Sequence, residues 1–313
     1  MSASAKGRQY VDYTVEGSTA RVTLNSPHNR NALSSALVEQ LHHRFRQAAA
    51  DPTVRALVLG HTGGTFCAGA DLSEASDSAG AAGPATSSAG AAGPATSSAG
   101  AAGPATSSAG AAGPATSSTG AADRTRQLTE LLRAILELPL PVVGAIDGHV
   151  RAGGLGLVGA CDIVVAGHNS TFALTEARIG VAPAIISLTL LPKMTARACA
   201  RFFLTGEKFG ADEAERVGLV TIAADDVAAA VARITAELGL GSPQGLRESK
   251  ALTTAAILEG FDRRADDLSA QSARLFASDE AREGMLAFLQ KRPPRWAPTG
   301  AARSPEPTVR RPP

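Results

Sequence analysis

Residues 152–162 read AGGLGLVGACD, and within them Gly154, Gly156 and Gly159 carry the G-x-G-x-x-G spacing that can cradle a dinucleotide pyrophosphate at the start of a helix. Glu176, 20 residues past Gly156, stands where a ribose-binding acid would be expected. Position argues against that reading, because a dinucleotide loop follows directly on the first strand of its fold. Here DGHVRAG separates Ile146 from Gly154, and an earlier strand–loop–helix unit precedes. Two other readings remain: glycines that let a helix pack closely on a sheet, and glycines that expose backbone N–H groups to a substrate oxygen. Amides in the first turn of a helix have no internal partner, and the helix dipole favours negative charge there. A position without a side chain lets an oxygen reach them. One donor from each of two loops would make an oxyanion hole.

A second glycine loop lies upstream. PVVGAI at 141–146 is a short apolar run of the kind buried on both faces of a sheet, and it leads into the loop just described. VRALVLG at 54–60 has the same character and leads into HTGGTFCAGADLSEA at 61–75, so the two halves share a plan of strand, glycine loop and helix. Before them, YVDYTVEG and ARVTLNS alternate as strands do, with Gly17 and Ser18 as the hairpin turn. Ser34 or Ser35 can cap a helix through about Ala50, on which Leu37, Leu41 and Phe45 recur at helical spacing. RTRQLTELLRAILELP predicts an amphipathic helix with Leu128, Leu131, Leu132 and Ile135 on one face, ended by Pro139. DIVVAG and TFALTE read as two further strands. From Ala184 to about Leu289 the chain is expected to be mostly helical, with breaks at Pro192, Gly206, Gly239 and Gly260. The fold class is α/β.

Residues 79–118 are four tandem copies of AGAAGPATSS, followed by a decayed fifth copy beginning TGAAD. Small, uncharged residues with a proline in each copy have little to bury, which predicts a flexible loop inside a single α/β domain. With 30 basic and 29 acidic residues the net charge is +1, and no electrostatic footprint for nucleic acid emerges. Cys67, Cys161 and Cys199 lack metal-ligand spacing, so neither a disulfide framework nor a metal site is expected. The longest uncharged apolar stretch, VAPAIISLTLLP, is too short to span a bilayer, and the expected location is the cytosol.

FCAGADL at 66–72, AIDGHVRAGGLGLVGACDIVVAG at 145–167 and FALTEARIGVAP at 172–183 together closely resemble the enoyl-CoA hydratase/isomerase, or crotonase, family. NALS at 31–34 and FASDEAREGMLAFLQKR at 276–292 match its pattern as well, so the likeness covers the chain apart from the repeat and the extreme tail. The resemblance implies a spiral of strand–strand–helix turns, with a helical C-terminal region that builds homotrimers, often paired into hexamers. On this basis the core spans 1–235, interrupted at 79–118, with a helical region at 236–292 and a disordered tail at 293–313. It also implies an acyl-CoA substrate, no cofactor beyond the coenzyme A that the substrate carries, and an oxyanion hole from the N–H groups of Ala68 and Gly153. By the same resemblance Ala70, Asp71 and Leu72 form the adenine pocket, Arg30 meets the CoA phosphates, and Ala32 also contacts the CoA. Phe276 and Lys291 would reach the CoA of a neighbouring subunit.

Hydratases of this family typically use two glutamates. Aligned on ACDI, the second falls on Glu176 and the first on Gly156. One carboxylate can hydrate a double bond if the proton it takes from water is passed on to carbon, and a partly desolvated Glu176 would have the raised pKa suited to such a shuttle. His149 is the nearest other titratable group and is more simply a structural residue. GLGL and APAIISLTLLP resemble hydratases of branched or carboxylated enoyl-CoAs, such as the methylglutaconyl-CoA and geranyl-type enzymes. Hydration is therefore the leading expectation. Double-bond isomerisation by Glu176 alone is the second, and a non-catalytic acyl-CoA-binding protein the third.

Overall fold

The computed structural model describes residues 8–71 and 118–298, so the repeat, except Ser118, and residues 299–313 fall outside the described residues. Strands β1 (Val11–Glu16) and β2 (Thr19–Leu24) form an antiparallel hairpin turning at Gly17, whose φ of +58° suits glycine. Helix α1 (Ser35–Ala50) is capped by Ser34, whose hydroxyl accepts the Leu37 N–H at 3.3 Å. Its Leu37, Leu41 and Phe45 enter the core as the periodicity predicts.

Each following turn of chain contributes one strand to each of two sheets. The first turn runs β3 (Ala56–His61), β4 (Thr65–Cys67), α2 (Ser118–Glu137); the second runs β5 (Val142–Ile146), β6 (His149–Arg151), α3 (Gly153–Ala160). The third begins with β7 (Ile163–Gly167) and β8 (Thr171–Ala173), and β9 (Phe209–Gly210) and β10 (Ile222–Ala224) complete the sheets. The larger sheet has the order β1-β2-β3-β5-β7-β10, parallel from β2 onward, and the smaller β4-β6-β8-β9. This is the strand–strand–helix spiral. The apolar runs of β3 and β5 are buried on both faces: one meets the main core, while Val58, Val143 and Val165 meet Ala230 and Val231 of α7 (Val227–Gly239).

The C-terminal half holds α4 (Ser187–Leu190), α5 (Ala196–Thr205), α6 (Ala211–Arg216), α8 (Pro243–Phe276) and α9 (Asp279–Leu289). Gly260, expected as a break, lies inside the unbroken α8. An interior glycine costs a helix only about 1 kcal/mol relative to alanine, and the packing of α8 on α2 outweighs it. β9 and β10, at two and three residues, are too short to leave a pattern in sequence. The division drawn at 235 falls within α7. The tail, expected to be disordered from 293, is held through its first residues, because Glu283 of α9 accepts from the two terminal guanidinium nitrogens of Arg292 (2.7 and 3.0 Å) and from the Arg295 N–H (3.0 Å). Among the described residues no helix is long and apolar enough to cross a membrane.

One buried ion pair ties α8 to the spiral. Lys250 Nζ donates to the carbonyls of Ile135 (2.7 Å) and Leu140 (3.0 Å) and pairs with Asp162 (2.9 Å), whose carboxylate also accepts the Val142 N–H (2.7 Å). Lys250→Ala strands that carboxylate and two carbonyls, so urea unfolding should report a loss of about 3–5 kcal/mol.

Candidate active site

β4, β6 and β8 lie side by side and parallel, with Cys67 opposite Val150 and Val150 opposite Phe172. The chain leaving them, at 68–71, 152–153 and 174–176, therefore emerges along one edge of the small sheet. The carboxyl ends of parallel strands are where α/β proteins place ligands.

The first loop is stitched to residues 30–33. Leu33 N–H donates to Gly69 O (2.7 Å), Asp71 N–H to Leu33 O (3.3 Å) and Ala68 N–H to Arg30 O (3.1 Å). Asn31, fully buried at φ +53°, anchors the partner segment: its Nδ2 donates to Thr62 O and Thr65 O, and its Oδ1 accepts the Ser26 N–H. The Ala68 N–H, expected to face substrate, is thus committed to Arg30. Ala70, expected in the adenine pocket, carries the N–H that no hydrogen bond among the described residues takes up.

The second loop touches the first. A Cβ on Gly69 (φ +96°) would stand 2.7 Å from Ala152 Cβ and 3.5 Å from Gly153 N, so the approach requires glycine at 69. Ala152 has φ +46° and ψ −123°, a conformation that costs an L residue of order 1–3 kcal/mol. It turns the chain so that Gly153 opens α3 with an N–H lacking any intrahelical partner. Two donors without a partner among the described residues, on Ala70 and Gly153, therefore sit on adjoining loops. Leu33 Cδ1 and Leu128 Cδ2 close over Gly153, at 3.3 and 3.6 Å from where its Cβ would be.

The glycines of the G-x-G-x-x-G spacing serve packing. Cβ atoms would meet Cys67 Cβ at 2.8 Å from position 154, Ile186 Cγ2 at 2.7 Å from 156, and the Thr189 carbonyl at 3.0 Å from 159. Every residue of α3 is buried, with β4, β6, α2, Ile186 and α4 packed on it, which leaves no face for a pyrophosphate.

The third loop carries Glu176 at the head of a single 3-10 turn, Glu176–Ile179, that ends at Gly180 (φ +78°). Helix α9 packs backbone to backbone on this turn: a Cβ on Gly180 would meet the Glu280 carbonyl carbon at 2.6 Å, and one on Gly284 would strike the Ile179 carbonyl. Arg178 Nε donates to Thr205 O (2.9 Å) on the opposite side. Oε2 of Glu176 is buried without a hydrogen-bond partner, and burial pushes the carboxyl pKa up to about 7. His149, by contrast, pairs through Nδ1 with Thr171 Oγ1 (2.9 Å) across the neighbouring strand.

The remaining expected residues divide. Arg30 is exposed in a left-handed turn, Ala32 is buried, and Asp71 accepts Asn29 Nδ2 (2.9 Å) beside the first loop. Leu72 lies outside the described residues. Phe276 ends α8 half-buried and Lys291 follows α9 exposed; among the described residues no hydrogen bond or ion pair joins either to the three loops. Sequence reasoning missed Asn31 and Ala152 as organisers, and Ile186 altogether. The left-handed Asn31 had a residue-type signal, since Asn tolerates that region, whereas Ala152 and Ile186 had none.

Comparisons with known proteins show the family and the fold. The family model described as Enoyl-CoA hydratase/isomerase matches residues 14–90 and 103–299. A solved enoyl-CoA hydratase from Mycobacterium avium is 56% identical, with a TM-score of 0.77, covering 93% of this chain and 100% of its own. A Thermus thermophilus relative is 30% identical over 285 residues, 90% of this chain and 98% of its own length. The 1,2-epoxyphenylacetyl-CoA isomerase of Escherichia coli is 27% identical over 292 residues, 92% of this chain and 98% of that protein. The chain belongs to the enoyl-CoA hydratase/isomerase family.

Proposed function

We propose that the protein is an enoyl-CoA hydratase whose thioester oxygen is held by the N–H groups of Ala70 and Gly153 and whose protons are carried by Glu176. The ionised Glu176 takes a proton from water as the water oxygen bonds to the β-carbon, and the displaced electron pair moves onto the thioester oxygen to give an enolate. Glu176 then delivers that proton to the α-carbon, so one water is added across the double bond. A buried carboxyl with an unpaired oxygen and a pKa of about 7 can accept and donate at neutral pH, and this observation carries the reading. The chemistry needs no group beyond the substrate's own coenzyme A.

Isomerisation is the second reading, favoured by the apolar contact at Gly156, where a second carboxylate would otherwise stand. There Glu176 would remove a proton from the α-carbon of a 3-enoyl-CoA and return it to the γ-carbon. Crotonyl-CoA, 3-methylglutaconyl-CoA and a 3-enoyl-CoA, offered to the purified enzyme with products separated by mass and retention, distinguish the two. Hydration without isomerisation is the expected result; isomerisation alone would replace this reading by the second. Arg30, Ala32, Asp71 and Leu72 are proposed to meet the CoA, and Phe276 and Lys291 that of a neighbouring subunit in a cytoplasmic homotrimer or hexamer. Exposed Phe288, Leu289 and Trp296 would supply apolar contact area in that assembly, and native mass spectrometry reads its size.

A further inference from the structure

Gly156 does not open space for substrate. A Cβ there would lie 2.7 Å from Ile186 Cγ2, 3.2 Å from Ile186 Cβ and 3.1 Å from Leu132 Cδ1, so the volume is already filled by hydrocarbon. Ile186 is 3% exposed and stands immediately before α4. It has little freedom to retreat, because Thr189 Oγ1 of α4 donates to Gly156 O (3.1 Å) and the Thr189 backbone sits against Gly159. Position 156 is also one helical turn after Gly153. Side chains on a helix lean toward its N-terminus, so a carboxylate at 156 would be directed toward the Gly153 N–H.

We propose that Ile186 is the specificity-determining residue that keeps position 156 free of a second carboxylate, and so commits this site to one-carboxylate chemistry. The inference rests on Glu176 being the working carboxylate. With a glutamate at 156 and the isoleucine trimmed, the labour would divide: the new carboxylate takes the proton of the attacking water, the water oxygen bonds to the β-carbon, and protonated Glu176 supplies the α-carbon proton. The sum is again one water added, and the two carboxyls regain their starting states by exchanging one proton through solvent.

Two cycles on the full chain test this. In the first, Gly156→Ala should lower Tm by about 5 °C in the wild-type background and by less than half as much beside Ile186→Ala, since the added methyl overpacks against the side chain removed. In the second, Gly156→Glu alone should be slower than wild type on crotonyl-CoA. Gly156→Glu with Ile186→Ala should hydrate it at least about tenfold faster than Ile186→Ala alone, with a second titrating limb in its pH profile. An equal Tm loss in both backgrounds, or none in either, overturns the proposal. So does a folded double variant no faster than Ile186→Ala. Should that variant fail to fold, the alanine cycle decides alone. Glu176→Gln in the otherwise wild-type chain tests the underlying functional reading separately: retained activity there would sink that reading while leaving the Tm coupling untouched.

Discussion

Glu176→Gln is expected to lower turnover of the preferred enoyl-CoA by about a thousandfold while raising thermal stability above neutral pH. The rate loss follows from removing the group that accepts and returns the proton, an effect typically of 10²- to 10⁴-fold. The stability gain follows from the same burial. The folded protein holds the Glu176 proton up to about pH 7, whereas the ordinary value is 4.5. Between those two values the folded state binds a proton that the unfolded state has released, so stability falls as pH rises from 4.5 to 7 and is level beyond. Above pH 7 the wild type carries a buried carboxylate with one unpartnered oxygen, at a cost of up to about 3 kcal/mol, which a neutral glutamine does not incur. Melting curves at pH 5 and pH 8 check this: the variant's advantage should be small at the lower pH and full at the higher. A variant both inactive and destabilised at pH 8 would point to a structural role instead.

Gly153→Pro should lower kcat by about 10²- to 10³-fold with CoA binding largely retained, the loss expected when one oxyanion donor is deleted. Proline at the first position of a helix forfeits no intrahelical hydrogen bond, but it also restricts the strained Ala152 before it, so retained CoA binding is the control that the loop is intact. The added Cβ meets chiefly the flexible ends of Leu33 and Leu128, at 3.3 and 3.6 Å. Turnover measured beside calorimetric CoA binding separates a lost donor from a lost fold. Loss of binding in step with turnover would contradict the donor role. The same logic distinguishes Ala70 from Ala68, whose N–H already serves Arg30 and holds the loop in place.

Much of the spiral is legible in the chain because its strands are short apolar runs buried on both faces and its helices carry a single apolar stripe. Ser34 announces α1, and Leu128, Leu131, Leu132 and Ile135 announce the inner face of α2. The positions of Glu176 and Gly153 on loops leaving neighbouring strands are legible through motif, since a loop directly after a strand is fixed by a few residues. What escaped depends on contacts distant in sequence. Nothing in GLGL tells whether Gly156 opens a pocket or accepts a neighbour, and only the folded chain brings Ile186 onto it from 30 residues away. The choice between Ala68 and Ala70 as donor likewise turns on where the Arg30 carbonyl points, a property of the left-handed turn at Arg30 and Asn31. Gly260 misleads for a related reason: local propensity marks a break, and the packing of a 34-residue helix overrides it.

The pH dependence of kcat/KM from pH 4 to 9, on whichever enoyl-CoA is turned over, tests most directly the claim that one buried carboxylate does the proton work. Because the ionised form begins the reaction, kcat/KM should rise through a single limb near pH 7, set by the burial of Glu176, and then level off. A limb near 4.5, or a flat profile across that range, would contradict it.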